Sequence, residues 1–275
     1  MTATTAISLP ALRGAGAATT RSALAQAVPP LVVGALALVA WEALVRVLSI
    51  PAFLLPAPSA IVATLVTDVG LILSAAQVTT AAVLGGMALG SIAGIVAAFV
   101  VSLFERAAST ILVLVAILSC APVVALAPIF NQWFGASNLM SKIAVAGIMV
   151  FFPVMVNTTR GLLRVDPLHR ELMLSLSASP LQLMLFVRIP GALPALFDGL
   201  KIGATLSVIG IIVAEYFGGT ANALGVLIAN TAALSQFEQT WAAVAAASAL
   251  GLALYALVLL LERVAMPWHH AMNRT

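Results

Sequence analysis

Apolar runs of about 20 residues or more, separated by short polar breaks, set the pattern of this chain. Six of them, over about 28–50, 77–104, 111–134, 143–163, 195–217 and 240–265, are long enough to cross the roughly 30 Å hydrocarbon core of a bilayer as helices. Helices are expected because a spanning segment must satisfy its own backbone hydrogen bonds. A shorter piece, PSAIVATLVTD from Pro58 to Asp68, follows the Pro-rich PAFLLPAP. It is too short to span and predicts a helix lying in the outer interface. The pattern predicts an all-α integral membrane protein.

Composition agrees. Hydrophobic residues make up 63% and charged residues 8%, against about 25% charged in soluble domains, and the mean hydropathy is +1.16. The 275 residues leave little room for a soluble domain. One transmembrane domain is expected over 28–268, with tails at 1–27 and 269–275. The +3 net charge comes from Lys and Arg dispersed between apolar runs, which fits membrane orientation and excludes a nucleic-acid surface. With the N-terminus inside, Arg13, Arg21, Arg106, Arg160, Arg164, Arg170, Arg188, Lys201, Arg263 and Arg274 fall on or near the cytoplasmic side, and only Arg46 and Lys142 towards the outside. Both termini are therefore expected in the cytoplasm. Met1 to Ala27 carries Arg13 and Arg21, no acid, and an AQA that imitates a signal-peptidase site without a clear apolar core before it. It reads as a mobile cytoplasmic tail. A lone Cys120 and three histidines exclude a disulfide framework and an ordinary zinc site.

Inside the spans, Gly86, Gly90 and Gly94 recur every four residues, giving one helix face that admits another backbone, either within the chain or in a dimer seam. Pro122 and Pro128 in the third run and Pro153 in the fourth predict kinks or broken turns. Glu42 and Arg46, four apart, and Asp198 and Lys201, three apart, read as structural pairs. Glu215 ends a long apolar run with no basic neighbour in sequence, so it should line water or a gate, or find a partner across the fold. With Tyr216, Ser119, Cys120, Asn131, Trp133 and Asn157 it forms the candidate set for a pathway or gate. Uncharged polar groups beside an aromatic suit a planar heterocycle better than a small anion.

The largest cytoplasmic connection, about 164–192, holds HRELMLSLSASPLQLMLFVRIP. Asp166 before Pro167 is an N-cap followed by a proline at the first helical position. Ser179 before Pro180 repeats the signal, so two short helices are expected, the second ending before Pro190. Leu168, Leu172, Ser175 and Leu176 share a face, with Arg170 and Glu171 pointing elsewhere. An apolar surface fringed by charge suits either a groove on another protein or a lipid interface.

This loop resembles the cytoplasmic signature of binding-protein-dependent ABC importer permeases: Glu-Ala-Ala, three residues, Gly, nine residues, Ile-x-Leu-Pro. Here Glu171, Leu172 and Met173 are followed at that spacing by Ser177 and then Val187-Arg188-Ile189-Pro190. The Glu, the spacing and the terminal proline match, whereas the alanines and the glycine do not. FLLPAPSAI (Phe53 to Ile61), APIFNQWFG (Ala127 to Gly135), FFPVMVNTTRGL (Phe151 to Leu162), LPALFDGLKIGATLSVIGIIVAEYFGG (Leu193 to Gly219) and ERVAMPWH (Glu262 to His269) extend the likeness over roughly 28–270. They resemble the branch that holds importers of nitrate, sulfonates and taurine, and of riboflavin and a pyrimidine precursor of thiamine.

The resemblance implies a type I ABC importer permease fold in the bacterial cytoplasmic (inner) membrane. Its implied partners are two ATP-binding cassette subunits, a second and commonly identical permease copy, and an external substrate-binding protein. It implies that Leu168, Arg170, Glu171, Leu172, Ser177, Ala178, Ser179, Pro180 and Gln182 couple to the ATPase. Ser177 stands where the family's glycine turns the chain, and needs either an ordinary right-handed turn or strain. The chain has no Gly-x-x-x-x-Gly-Lys-Ser/Thr loop, so ATP and Mg belong to the partner and no cofactor to this chain. The expected cargo is a heterocyclic or aromatic small molecule, with nitrate, taurine or aliphatic sulfonates as the alternative. A competing class is an ion-coupled transporter using Glu215 as proton carrier, but no internal repeat supports it. No convergent catalytic set is present for an enzyme; His169, His269 and His270 read as solvated interface residues.

Overall fold

A computed structural model of the protein describes residues 18–267. The described residues are helical apart from their connections: α1 Ala18–Val47, α2 Pro58–Thr67, α3 Val69–Ser102, α4 Glu105–Ser119, a 3-10 turn Val123–Leu126, α5 Ala127–Phe134, α6 Leu139–Leu163, α7 Pro167–Ser175, α8 Pro180–Leu183, a π-turn Met184–Arg188, α9 Ile189–Tyr216, α10 Leu224–Ala233 and α11 Phe237–Ala265. Five helical stretches are long and apolar enough to span, and a sixth is counted if α4 and α5 form one broken span. Of the expected N-terminal tail, residues 1–17 lie outside the described residues, while the backbone from Ala18 is already helix α1. The expected C-terminal tail and both its histidines also lie outside.

Residues 18–59 and 60–267 divide into two units. In the first, Glu42 accepts from Arg46 Nε at 2.6 Å, from Ser59 Oγ at 2.8 Å and from Ser59 N at 3.0 Å. The i, i+4 pair is as expected, and its carboxylate also holds the first turn of α2, where Pro58 has no amide to offer.

In the second unit α6 lies between α3 and α9. The glycine stripe of α3 faces α6: a Cβ at Gly86 would stand 2.4 Å from that of Ala146, one at Gly90 2.3 Å from Gly147 O, and one at Gly94 3.0 Å from Phe151 O. It is therefore a packing seam within the chain. From the other side Gly199 approaches Pro153 O as closely. Small residues let backbones touch where apolar side chains gain little over lipid. Ala82, Val83, Ala146, Ala204, Val208, Ile211, Leu254 and Val258 complete a core drawn from α3, α6, α9 and α11.

The sequence expectations for the spans and the loop are met in part. The second span begins at Val69 rather than near 77. The break expected at Pro122 in the third span is found: α4 and the segment Val123–Phe134 meet at 65°, where the proline lacks a donor. Pro128 falls in the first turn of α5, where no donor is missed, and α6 runs unbroken across Pro153. The second loop helix does not end before Pro190 but passes through the π-turn into α9, with Pro190 in its first turn. Widening the turn before Pro190 relieves the ring's clash with the preceding carbonyls. Finally, α10, too short to register as a span, closes the gap between α9 and α11.

Candidate functional site

The connection between α6 and α9 is built as its caps predict. Asp166 Oδ1 accepts from Leu168 N at 2.9 Å, behind Pro167. Ser179 Oγ accepts from Gln182 N at 3.3 Å while Gln182 Oε1 accepts from Ser179 N at 2.7 Å, a complete capping box. Between them Ser177 has φ +54°, with Ala178 N bonded to Met173 O and Ser177 N to Leu174 O, both at 3.0 Å. This is a Schellman ending with serine in the left-handed position that glycine occupies more readily. Of the two geometries open to Ser177, the structure has the left-handed one.

The face laid out by these helices is bare. Leu168 is 71% exposed, Leu172 54% and Leu176 68%, and Leu174, Leu181, Leu185 and Phe186 are exposed as well. Arg170, Glu171, Ser177, Ser179, Pro180 and Gln182 are exposed around them and Ala178 is half-buried. The element is anchored from behind by Met184, which packs with Leu162 of α6 and Ala192 of α9. Arg188 pairs with Glu105 at the start of α4. Three rigid attachments and an uncovered apolar face make a lever with a free surface.

At the break in the third span lies a cavity of about 580 Å³. Ser119 and Asn157 line it together with Pro122, Met149, Phe152 and Leu206, and no charged side chain does. Asn157 Nδ2 donates to Pro153 O at 2.8 Å and Ser119 Oγ to Ala116 O at 2.7 Å. Cys120 sits exposed at the break itself.

The remaining candidates lie elsewhere, at the end opposite the 164–192 connection. Glu215, 2% exposed, accepts from Thr79 Oγ1 at 3.0 Å and from Gly225 N at 2.9 Å. Thr79 Oγ1 in turn accepts from Leu224 N at 2.9 Å. Lys142, 3% exposed, donates to Asn131 Oδ1 at 2.8 Å, Ser141 Oγ at 3.0 Å and Ala136 O. Its charge acts on Glu215, and a water-sized cavity of about 10 Å³ lies between them, reached by Val78, Ser137 and Thr220. Each buried charge thus has hydrogen-bond partners and an opposite charge nearby, as burial requires. Sequence reasoning placed Lys142 outside as an orientation charge and missed this role. Trp133 is exposed, edge-on to Phe130 at 5.6 Å, and Tyr216 is exposed, edge-on to Phe217 at 5.9 Å.

A family model described as the binding-protein-dependent transport system inner membrane component matches residues 86–267. The chain belongs to this family. Over 88% of its length it is 32% identical to the formylaminopyrimidine transport permease protein ThiX of Halalkalibacterium halodurans, covering 96% of that protein. It is also 32% identical over 85% of its length to the riboflavin transport system permease protein RibX of Chloroflexus aurantiacus, covering 87% of it. A shorter match, 30% identical over 54% of the chain and 54% of the relative, reaches the putative aliphatic sulfonates transport permease protein SsuC of Bacillus subtilis.

The permease thus carries three separate features along its helices: an exposed helical lever at one end, an uncharged cavity at a broken span, and a saturated polar knot at the other end. No strand and no group of metal-ligating side chains occurs among the described residues. Membership of this family makes the chain a multi-pass inner membrane component of a binding-protein-dependent transport system.

Proposed function

We propose that the permease docks its α7–α8 element on an ATP-binding cassette subunit and forms, with a second copy of itself, the pathway of an importer in the bacterial inner membrane. The observation that carries this is the bare apolar face of Leu168, Leu172 and Leu176 on a capped, anchored pair of helices fringed by Arg170 and Glu171. That face needs a partner groove, and Glu171 offers a carboxylate for a basic residue there. ATP and Mg are bound by the partner, whose closure tilts the lever and switches the cavity between its two faces. Arg160, Arg164, Arg170, Arg188 and Lys201 gather at the lever end, which supports its placement in the cytoplasm, and an even count of six spans, with α4 and α5 taken as one, supports both termini on that side.

The cargo is a small heterocyclic or aromatic molecule. The uncharged cavity with Phe152, Ser119 and Asn157 supports it, as do the near full-length relatives named for formylaminopyrimidine and riboflavin. The sulfonate-named relative supports the alternative over about half the chain. Proteoliposomes holding the permease, its ATPase and the cognate binding protein test the reading. ATP-dependent uptake of riboflavin or a formylaminopyrimidine is expected; ATP-dependent uptake of taurine or a sulfonate reassigns the cargo. Uptake by the permease alone under a proton or sodium gradient overturns the reading.

A further inference from the structure

The docking reading accounts for the exposed leucines but not for Arg188, whose side chain turns inward and is only 12% exposed. Arg188 closes the π-turn, and its Nη2 donates to Glu105 Oε1, on the first residue of α4 and 83 positions away in sequence. Its Nε is buried with no hydrogen-bond acceptor, so the Glu105 carboxylate is the contact that offsets the cost of burying the guanidinium. Arg170, on α7, also acts on the Glu105 charge. The Glu105 carboxylate thus bonds to the arginine that closes the π-turn and also feels the charge of one on α7.

The surroundings make this contact decisive. Between the α3–α4 corner and α8 lies a cavity of about 700 Å³, walled by Phe99, Leu103, Phe104, Leu181 and Met184, with Arg188 and Glu105 also lining it. The ion pair bridges the lever to α4 across this cavity. Following α4 from Glu105 leads in 15 residues to Ser119 and the 65° break, which borders the uncharged cavity. A helix transmits axial displacement because its hydrogen-bond ladder is stiff.

We propose that the Glu105–Arg188 pair is a strut that carries movement of the α7–α8 lever to the break at Cys120–Pro122, and so sets the shape of the cavity lined by Ser119 and Asn157. This rests on the docking reading above. Arg188 and Glu105 are positioning residues, acting on the cavity through α4 rather than touching cargo. The lever's other anchor, Met184 against Leu162 and Ala192, moves α6 and α9. The strut adds the third wall.

Cys120 is the single cysteine of the chain and is exposed at the break, so it reports the movement without knowledge of the cargo. The permease, co-purified with its ATPase in nanodiscs, is treated with a maleimide, and the alkylation rate of Cys120 is read by mass spectrometry with and without ATP and vanadate. The native pair is expected to show a nucleotide-dependent rate change of about fivefold or more, the scale of a typical coupling between sites. Arg188→Glu and Glu105→Arg should each reduce that change to under about twofold, and the double exchange should restore it. ATPase co-purification serves as the control for folding. Single reversals that keep the native nucleotide response, or a native complex that holds its ATPase yet shows no response, overturn the strut. Failure of the native chain to bind the ATPase at all overturns the docking reading, and the strut with it.

Discussion

Glu215 accepts a hydrogen bond from the amide of Gly225 at 2.9 Å, so a carboxylate at the end of α9 caps the start of α10. The position that should cap α10 is Ala223, which has no side-chain acceptor. Thr79 of α3 fills the rest of the gap by accepting from Leu224 N while donating to Glu215. A helix N-terminus favours negative charge, which is how a 2%-exposed carboxylate is tolerated there. Thr79→Val removes the hydroxyl at constant shape and leaves both the Leu224 amide and Glu215 short of a partner. A destabilisation of about 2 kcal/mol is expected, read as a lower midpoint in thermal unfolding of detergent-solubilised permease. Thr79→Ser should recover most of it.

The contact of α3 with α6 makes a sharper contrast. A Cβ at Gly90 would lie 2.3 Å from Gly147 O, against backbone that cannot yield, whereas one at Gly70 on the same helix meets nothing within 4 Å. Gly90→Ala should therefore cost about 2 kcal/mol or more by overpacking. Gly70→Ala should gain up to about 1 kcal/mol from reduced freedom of the unfolded backbone. Equal effects of the two substitutions on thermal unfolding would refute the seam.

These examples show which parts of the molecule were legible beforehand. Signals confined to a few neighbouring residues read correctly: the caps at Asp166 and Ser179, the Glu42–Arg46 pair, the small-residue stripe of α3. Proline was legible only in part. It marks a missing donor at Pro122, but whether the helix breaks depends on whether a neighbouring turn can absorb the defect, as the π-turn does before Pro190. What could not be read were partners far apart in sequence: Thr79 for Glu215, 136 positions away, Glu105 for Arg188, and Glu262 for Lys201. Lys142 gave no signal of its buried role: it stands immediately before the apolar run 143–163, where an orientation charge is expected.

Lys201 was paired with Asp198 from sequence, and the structure adds a second acid. Its Nζ lies 2.9 Å from Asp198 Oδ1 and 3.1 Å from Glu262 Oε2. Asp198 is largely solvated while Glu262 is 11% exposed, so the bond to Glu262 is the one that ties α11 to α9. Lys201→Met should cost about 1–2 kcal/mol, because it strands a nearly buried carboxylate. Asp198→Asn should cost well under 1 kcal/mol, as for an exposed pair. The order of the two unfolding midpoints checks this, and the reverse order would place the tie at Asp198.

Three helices end with a serine in the left-handed conformation: Ser49 at φ 49°, Ser177 at 54° and Ser235 at 60°. Each closes the same pair of backbone bonds, as in Ser177 N to Leu174 O and Ala178 N to Met173 O. Sequence rules look for glycine there, so the turns at Ser49 and Ser235 do not announce themselves, and the one at Ser177 does so only through the family's glycine at that position. For a residue with a Cβ this conformation costs roughly 1 kcal/mol. Ser177→Gly should thus tighten the turn between α7 and α8 by about 0.5–1 kcal/mol, and Ser177→Val should loosen it by more, since a branched side chain fits the left-handed region worst. Hydrogen exchange at the Ala178 amide reads this turn directly. The expected order of exchange is glycine slowest, serine intermediate and valine fastest. Slower exchange in Ser177→Val than in the native chain would mean that the turn is held by the capping box at Ser179 and not by the Schellman bonds.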